Sequence, residues 1–442
     1  MTRTAPPAAA RDAGQPVPGR PSAPASPVAR AGKRVRLGVR GTPGRLRIVS
    51  AVLVVVGLLF GLAAAQSFWA ADGALARADR NAAQLVRLQE IQTSLVRADA
   101  DATNAFLVGG LEPAAQRADY NAAVDRAARA VAFAARAQSA DGDALAALSS
   151  AIQHYTGGVV QARADNRLGL PLGAEYLREA SAELRADALP ILGSLTQANQ
   201  ARVATEFTTA RAAQPLALAA GLVTLVVIAG ALVWLARRTH RFVNVPVAGS
   251  GVVVVVVLVA VAAVLGSVRT TVSDVRAGSY AAARALSGAR VAAFDAKANE
   301  SLTLISRGSG AAFEAAWAAS SAATSHRLAD AASIDAVHAD LATSWAAYTA
   351  LHHKIRVLDD GGAWEQAVAA AVSRDAGSAN AAFAAFDSRS GEQLTAAGNA
   401  TSSALRDAES GLTAAGWLSV LAGVLAAVLA WWGLSQRIEE YR

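Results

Sequence analysis

Residues 247–268 read VAGSGVVVVVVLVAVAAVLGSV, with no charged side chain among them. The row Val252 to Val257 would pass for a buried strand, but the run has the length of a helix in lipid. Crossing ~30 Å of hydrocarbon takes ~20 apolar residues, and there the backbone must bond within its own segment. Three more stretches share this character, at 48–66, 216–236 and 414–434. They imply an all-α membrane protein with four transmembrane helices, embedded in a lipid bilayer. Five of the eight tryptophans, Trp69, Trp234, Trp417, Trp431 and Trp432, fall at the ends of these runs, where an amphipathic ring prefers to lie. A cleaved leader ending near Ala65 is the competing account of the first run, and its dimensions exceed those of ordinary leaders.

Basic residues set the orientation. Residues 1–47 hold ten Lys and Arg against one acid, Asp12, and 237–247 hold Arg237, Arg238 and Arg241 with none. The positive-inside rule makes both cytoplasmic, with both termini inside a multi-pass cell-membrane protein. Residues 71–211 carry 14 basic and 16 acidic side chains, and 268–411 carry 12 and 15, so both long segments are expected outside. The net charge of +7 then reflects topology and an anionic inner leaflet, and no nucleic-acid partner is expected. The absence of cysteine excludes disulfides and thiolate metal sites.

The expected order is a disordered cytoplasmic tail (1–46), a span (47–69), a first extracytoplasmic four-helix bundle (70–213), a span (214–236) and a cytoplasmic loop (237–247). A third span (248–268), a second bundle (269–412), a fourth span (413–434) and a short cytoplasmic tail (435–442) follow, so the two bundles stand in tandem. Leu145, Leu148, Ile152, Tyr155, Val159 and Ala162 recur at spacings of three and four, as do Leu177, Ala180, Leu184, Ala188, Ile191 and Leu195. Glycine, proline and aspartate breaks divide the first segment into helices at 70–109, 113–140, 143–168 and 174–212, with Pro190 expected to kink or briefly break the last. In the second segment Leu341, Tyr348 and Ile355 sit in sevens, and Leu341 and Tyr348 stand 193 positions after Leu148 and Tyr155. The chain therefore reads as a duplicated unit of span, bundle and span.

The distal turns bring Leu111, Leu168, Leu170 and Leu172 together, ringed by Glu112, Arg163, Asn166, Arg167, Glu175, Tyr176 and Arg178. Such leucines form a docking surface or cap the bundle core. Gln92, Asp99 and Asn104 occupy seam positions, where they hold a ligand between helices or fix register. Arg237, Arg238, Arg241 and Phe242 form the inner loop, a candidate for cytoplasmic coupling. His326, His338, His352 and His353 match no zinc signature, and no catalytic triad, phosphate loop or dinucleotide fingerprint is present, so no metal, cofactor or enzymatic activity is expected. The spans lack the charges of an ion pathway.

Two helical bundles carried on hairpins of spans resemble the ligand-sensing halves of chemoreceptors and sensor kinases, without their large cytoplasmic output domain. The tracts NAFLVGGLEP (104–113), RADNRLGLPLGAEYLREAS (163–181) and ESLTLISRG (300–308) resemble the GlnX family of actinobacterial four-span membrane proteins. The Lys-poor, Ala- and Arg-rich usage, with only Lys33, Lys297 and Lys354, fits a GC-rich genome. The resemblance implies an external glutamine-binding-type solute-binding lipoprotein and the cytoplasmic serine/threonine protein kinase G as partners, with the chain relaying amino-acid status between them. It brings no site residues with it. A direct small-ligand sensor and an envelope scaffold are the alternatives, and a homodimer is compatible with each.

Overall fold

The computed structural model describes residues 42–108, 112–239 and 244–439, which are helical almost throughout, with no strand among them. In chain order they form α1 (Thr42–Leu107), α2 (Ala114–Ala137), α3 (Gly142–Arg167), α4 (Leu172–Glu183), a π-helical turn (Leu184–Ala188) and α5 (Leu189–Thr239). Then come α6 (Val245–Ala277), α7 (Ser279–Ile305), α8 (Ala311–Ile334), α9 (Ala339–Asp360), α10 (Trp364–Val372), α11 (Ala379–Glu409) and α12 (Leu412–Glu439). The 66 residues of α1, rich in alanine and free of proline past the first turn, make a rod roughly 100 Å long at ~1.5 Å per residue.

Four helices are long and apolar enough to cross a membrane, with windows of mean hydropathy 2.7, 2.7, 3.0 and 2.1 in α1, α5, α6 and α12. Val55, Leu59, Leu222, Val226, Val252, Val256, Leu421 and Val428 face outward from this part, while Leu53, Phe60, Val254, Val261 and Ala426 face in. The tightest approach is between α1 and α12: a Cβ on Gly61 would stand 2.6 Å from the Gly423 Cα. Only small residues let two backbones touch in this way. Nearby, Trp69 and Trp417 meet edge to face at 5.2 Å.

In the first segment the seam residues of α3 and α4 are buried together with Leu88, Ile91 and Leu95 of α1. One expected position is displaced: Leu192 is fully buried, and Ile191 lies at the margin. The cause is the π-helical turn, in which the Leu189 N–H bonds to the Leu184 carbonyl. That wider turn takes up an extra residue, so Leu192 replaces Ile191 in the buried stripe, while Leu195 keeps its expected buried place. Pro190 accounts for the turn, since its ring would otherwise press on the Ala186 carbonyl, four residues back. The expected kink or break is thus realised as a bulge inside a helix that continues.

In the second segment Leu341 and Tyr348 are as fully buried as Leu148 and Tyr155. Its last arm is interrupted, however: α10 ends at Val372, and α11 starts afresh behind Ser378, whose hydroxyl accepts the Ala381 N–H. The second apolar core also does not close on its own residues. It takes in Val96, Ala100 and Leu107 of α1, so α1 is buried on two faces and the segments lie side by side. Polar ties run along this seam: Thr413 donates to Asp72 (3.1 Å), Ser402 to Asp79 (2.6 Å), Arg97 pairs with Asp387, and Arg374 pairs with Asp119 (2.7 Å).

Candidate functional site

The π-helical turn before Pro190 presents Arg185 to both segments at once. Its guanidinium lies 3.0 Å from Asp99 of α1 and 2.9 Å from Asp295 of α7, and it also donates to the Ser181 carbonyl at 3.0 Å. Ser181 in turn donates to Asp99 at 2.5 Å, and Ser320 of α8 donates to Asp295 at 2.5 Å. Asp99 is only 1% exposed, and burial pushes its carboxyl up beyond what Arg185 and Ser181 take back. A single arginine therefore holds two carboxylates from different segments, one of them deep in the first core.

Beside this bridge runs a cleft of about 870 Å³ between the segments. One wall carries Gln89, Gln92, Arg185 and Thr196; the other carries Arg284, Asp295, Ser320 and Arg327. Among its lining residues, the Gln89 side-chain carbonyl and the Thr196 hydroxyl are buried without a hydrogen-bond partner. Unpaired polar atoms of this kind cost free energy unless something completes them. The cleft has the size and mixed lining of a small-molecule site.

Residues 74–208 match the family model described as the actinobacterial sensor domain. No curated protein and no solved structure matches the chain. The matched sensor segment runs from α1 into α5, and so holds Gln89, Gln92, Asp99 and Arg185, while the facing wall of the cleft lies outside it. The match fits a sensing role and the broad expectation of an actinobacterial sensor; it does not reach the narrower GlnX resemblance.

Of the three seam residues singled out in the sequence, Gln92 lines the cleft and Asp99 anchors the bridge. Asn104 reaches across to the second segment and donates to the Ala371 carbonyl at 3.3 Å, so it does not act inside the first core. At the distal end of the first segment, Arg163 pairs with Glu112 at 2.9 Å and lies over the Tyr120 ring, with Asn166 and Arg167 beside them. Glu175 pairs with Arg178, and Tyr176 packs half-buried on the first core. Leu168 is 73% exposed, and Leu170 and Leu172 are exposed too, so these leucines do not cap the core. Leu170 borders a groove of about 700 Å³ floored by Phe106, Ile305, Trp364 and Val368, where Arg307 stacks 3.9 Å from Trp364. Leu111, Arg241, Phe242 and most of the expected N-terminal tail lie outside the described residues; Arg237 is exposed at the end of α5, and the side chain of Arg238 is not described.

A second polar cluster, absent from the sequence-derived candidates, is buried in the second segment. Glu300 accepts from Lys297 (2.5 Å), Tyr348 (3.2 Å) and His352 (2.9 Å), and the other ring nitrogen of His352 meets Glu314 at 3.2 Å. The Trp317 ring stacks on His352 at 3.5 Å. Burial alone would push the Glu300 carboxyl up, but Lys297 and His352 outweigh it and hold it down at about 2. Burial likewise works to lower His352, and its bonds to Glu300 and Glu314 prevail and raise it above 6.5. The hint in the sequence is a lysine, one of three in the chain, three residues before a glutamate on an otherwise apolar helix face.

A base with a raised folded pKa lends stability that is complete below its unfolded pKa and lost as pH climbs through the folded value. Stability is therefore expected to fall as pH rises from 6.5 through the folded value of His352. Asp101, pushed up to about 7 by burial, acts in the same sense, so the His352→Gln variant isolates the histidine by flattening part of the slope. Tryptophan-monitored thermal unfolding of the full chain between about pH 6 and 9 is the measurement. Parallel slopes in wild type and variant would remove His352 from this role.

Proposed function

We propose that this chain is a non-enzymatic transmembrane sensor that binds a small ligand directly in the cleft between its two helical segments. The observation that carries this reading is the Arg185 bridge from Asp99 to Asp295, a tie between the segments at the edge of a polar cleft with unsatisfied groups. A ligand entering the cleft competes with or completes that bridge and shifts one segment against the other. α1 continues from the cleft into an apolar helix and touches α12 backbone to backbone at Gly61 and Gly423, so a shift at the cleft reaches the membrane-capable part through rigid elements. Helix displacements of ~1–2 Å suffice for switching of this type. With the basic residues Arg237, Arg238 and Arg241 inside, both segments face out of the cell, and the output passes to a cytoplasmic partner at that loop.

One observation favours a second reading. The exposed Leu168, Leu170 and Leu172 and the apolar groove beside them fit docking of an external solute-binding lipoprotein, whose loaded state would be relayed to a serine/threonine kinase inside. The two readings separate in one experiment. The chain has no native cysteine, so spin labels at Ser194→Cys and Ser333→Cys report the span across the cleft from α5 to α8. Direct sensing predicts that the small-molecule fraction of growth medium shifts the label distance in purified protein by roughly an ångström or more, of the order seen in helix-shift switches. A shift that needs a lipoprotein favours the relay, and no shift under either condition leaves a scaffold.

A further inference from the structure

Given the cleft as the sensing site, its side chains also narrow the class of ligand. Arg185 is fully engaged by Asp99 and Asp295, whereas Arg284 and Arg327 pair with no carboxylate among the described residues. Arg327 packs against α7 at Gly288, where a Cβ would come within 2.4 Å of Nη1. Any larger residue at 288 would push it off. Arg284 and Arg327 are exposed at the cleft, and two arginines without counterions on one wall suit an anionic group in the ligand, for which a planar carboxylate fits the guanidinium fork best.

The opposite wall specifies the rest. Gln89, 6% exposed, borders the cleft and carries an unpartnered carbonyl oxygen, and Thr196 offers an unpartnered hydroxyl. An acceptor left bare in this way requires a donor on the ligand. That donor should be neutral, because Asp295, the partly buried carboxylate of the cleft, is already taken by Arg185 and Ser320, while Asp330 stands more than half exposed, where water screens its charge. No buried anion remains free to balance an ammonium. We infer that the cleft binds a small hydroxycarboxylate, its carboxylate on Arg284 and Arg327 and its hydroxyl on Gln89 and Thr196.

Isothermal titration of the full chain in lipid nanodiscs tests this with lactate, malate and citrate as probes, and with succinate and aspartate as the matched partners of malate that lack the hydroxyl or replace it by an ammonium. The expected result is saturable binding of at least one hydroxy acid. If malate is that acid, succinate and aspartate bind roughly tenfold more weakly, the scale of one hydrogen bond to a buried neutral group. The Arg284→Gln/Arg327→Gln double variant is expected to lose binding while its unfolding midpoint stays put, since neither arginine is paired. Aspartate binding as tightly as malate overturns the neutral donor, and binding that survives the double variant overturns the site. If no hydroxy acid binds but the spin labels still respond to the medium fraction, the ligand class is wrong and the sensor reading stands; if neither responds, both fall.

Discussion

Glu300→Ala is expected to destabilise the second segment by roughly 3–5 kcal/mol, the range for deleting one member of a buried, hydrogen-bonded charge group. The loss is large because of what remains: Lys297 and His352, both buried, keep their positive charge or must give up a proton, and the Tyr348 hydroxyl loses its acceptor. Two companion variants divide the effect. Glu300→Gln keeps an acceptor for Tyr348 and His352 and should cost less. Adding Lys297→Met to Glu300→Ala removes an uncompensated charge and should restore part of the loss, even though two residues are now changed. Denaturant unfolding followed through Trp317, which stacks on His352, reads all three. A double variant no more stable than Glu300→Ala would show that the lysine charge is not what makes the deletion costly.

Arg185→Leu is the second large effect, because it strands carboxylates in two segments at once. Asp99 is almost fully buried and would keep only the Ser181 hydroxyl, while Asp295, partly buried, would keep Ser320 and the Asn299 amide at 3.3 Å. The expected loss is about 3 kcal/mol, the lower end for a broken buried pair, because the arginine is itself partly exposed. Its pH dependence is the sharper readout. Burial already raises the Asp99 carboxyl, and without Arg185 that carboxyl rises further. An acid whose folded pKa lies above its unfolded value binds protons more tightly when folded, so stability falls as pH rises through that interval. The variant should therefore be closer to wild type at about pH 5 than at about pH 8, and an equal gap at both would show that Asp99 does not carry the loss. The distance between labels at residues 194 and 333 should also broaden without the bridge, which a purely local packing role would not produce.

Much of this architecture is legible in the chain itself. Hydropathy places the four membrane-capable helices, because apolar length is a local property. Spacings of three and four place Leu145, Leu148, Ile152 and Tyr155 in a core, and the displacement by 193 finds Leu341 and Tyr348 in the same setting. Glycine and proline mark the turns, since they act on the backbone where they stand. Even the shift from Ile191 to Leu192 has a local cause, Pro190, although its outcome as a bulge depends on the helix being held on both sides.

The side-by-side packing of the segments and the cleft between them were decided by tertiary structure alone. Arg185 and Asp295 are 110 residues apart, and Arg97 and Asp387 are 290 apart, so no periodicity relates them. On a helical projection such charges look like a solvated face. α1 hides its second buried face for a related reason: Ala100 fits an interface as readily as it fits solvent, and an alanine-rich rod shows one clear stripe of large residues where two faces are covered. Periodicity reports that a face is buried, whereas the partner that buries it is chosen by the packing of distant helices.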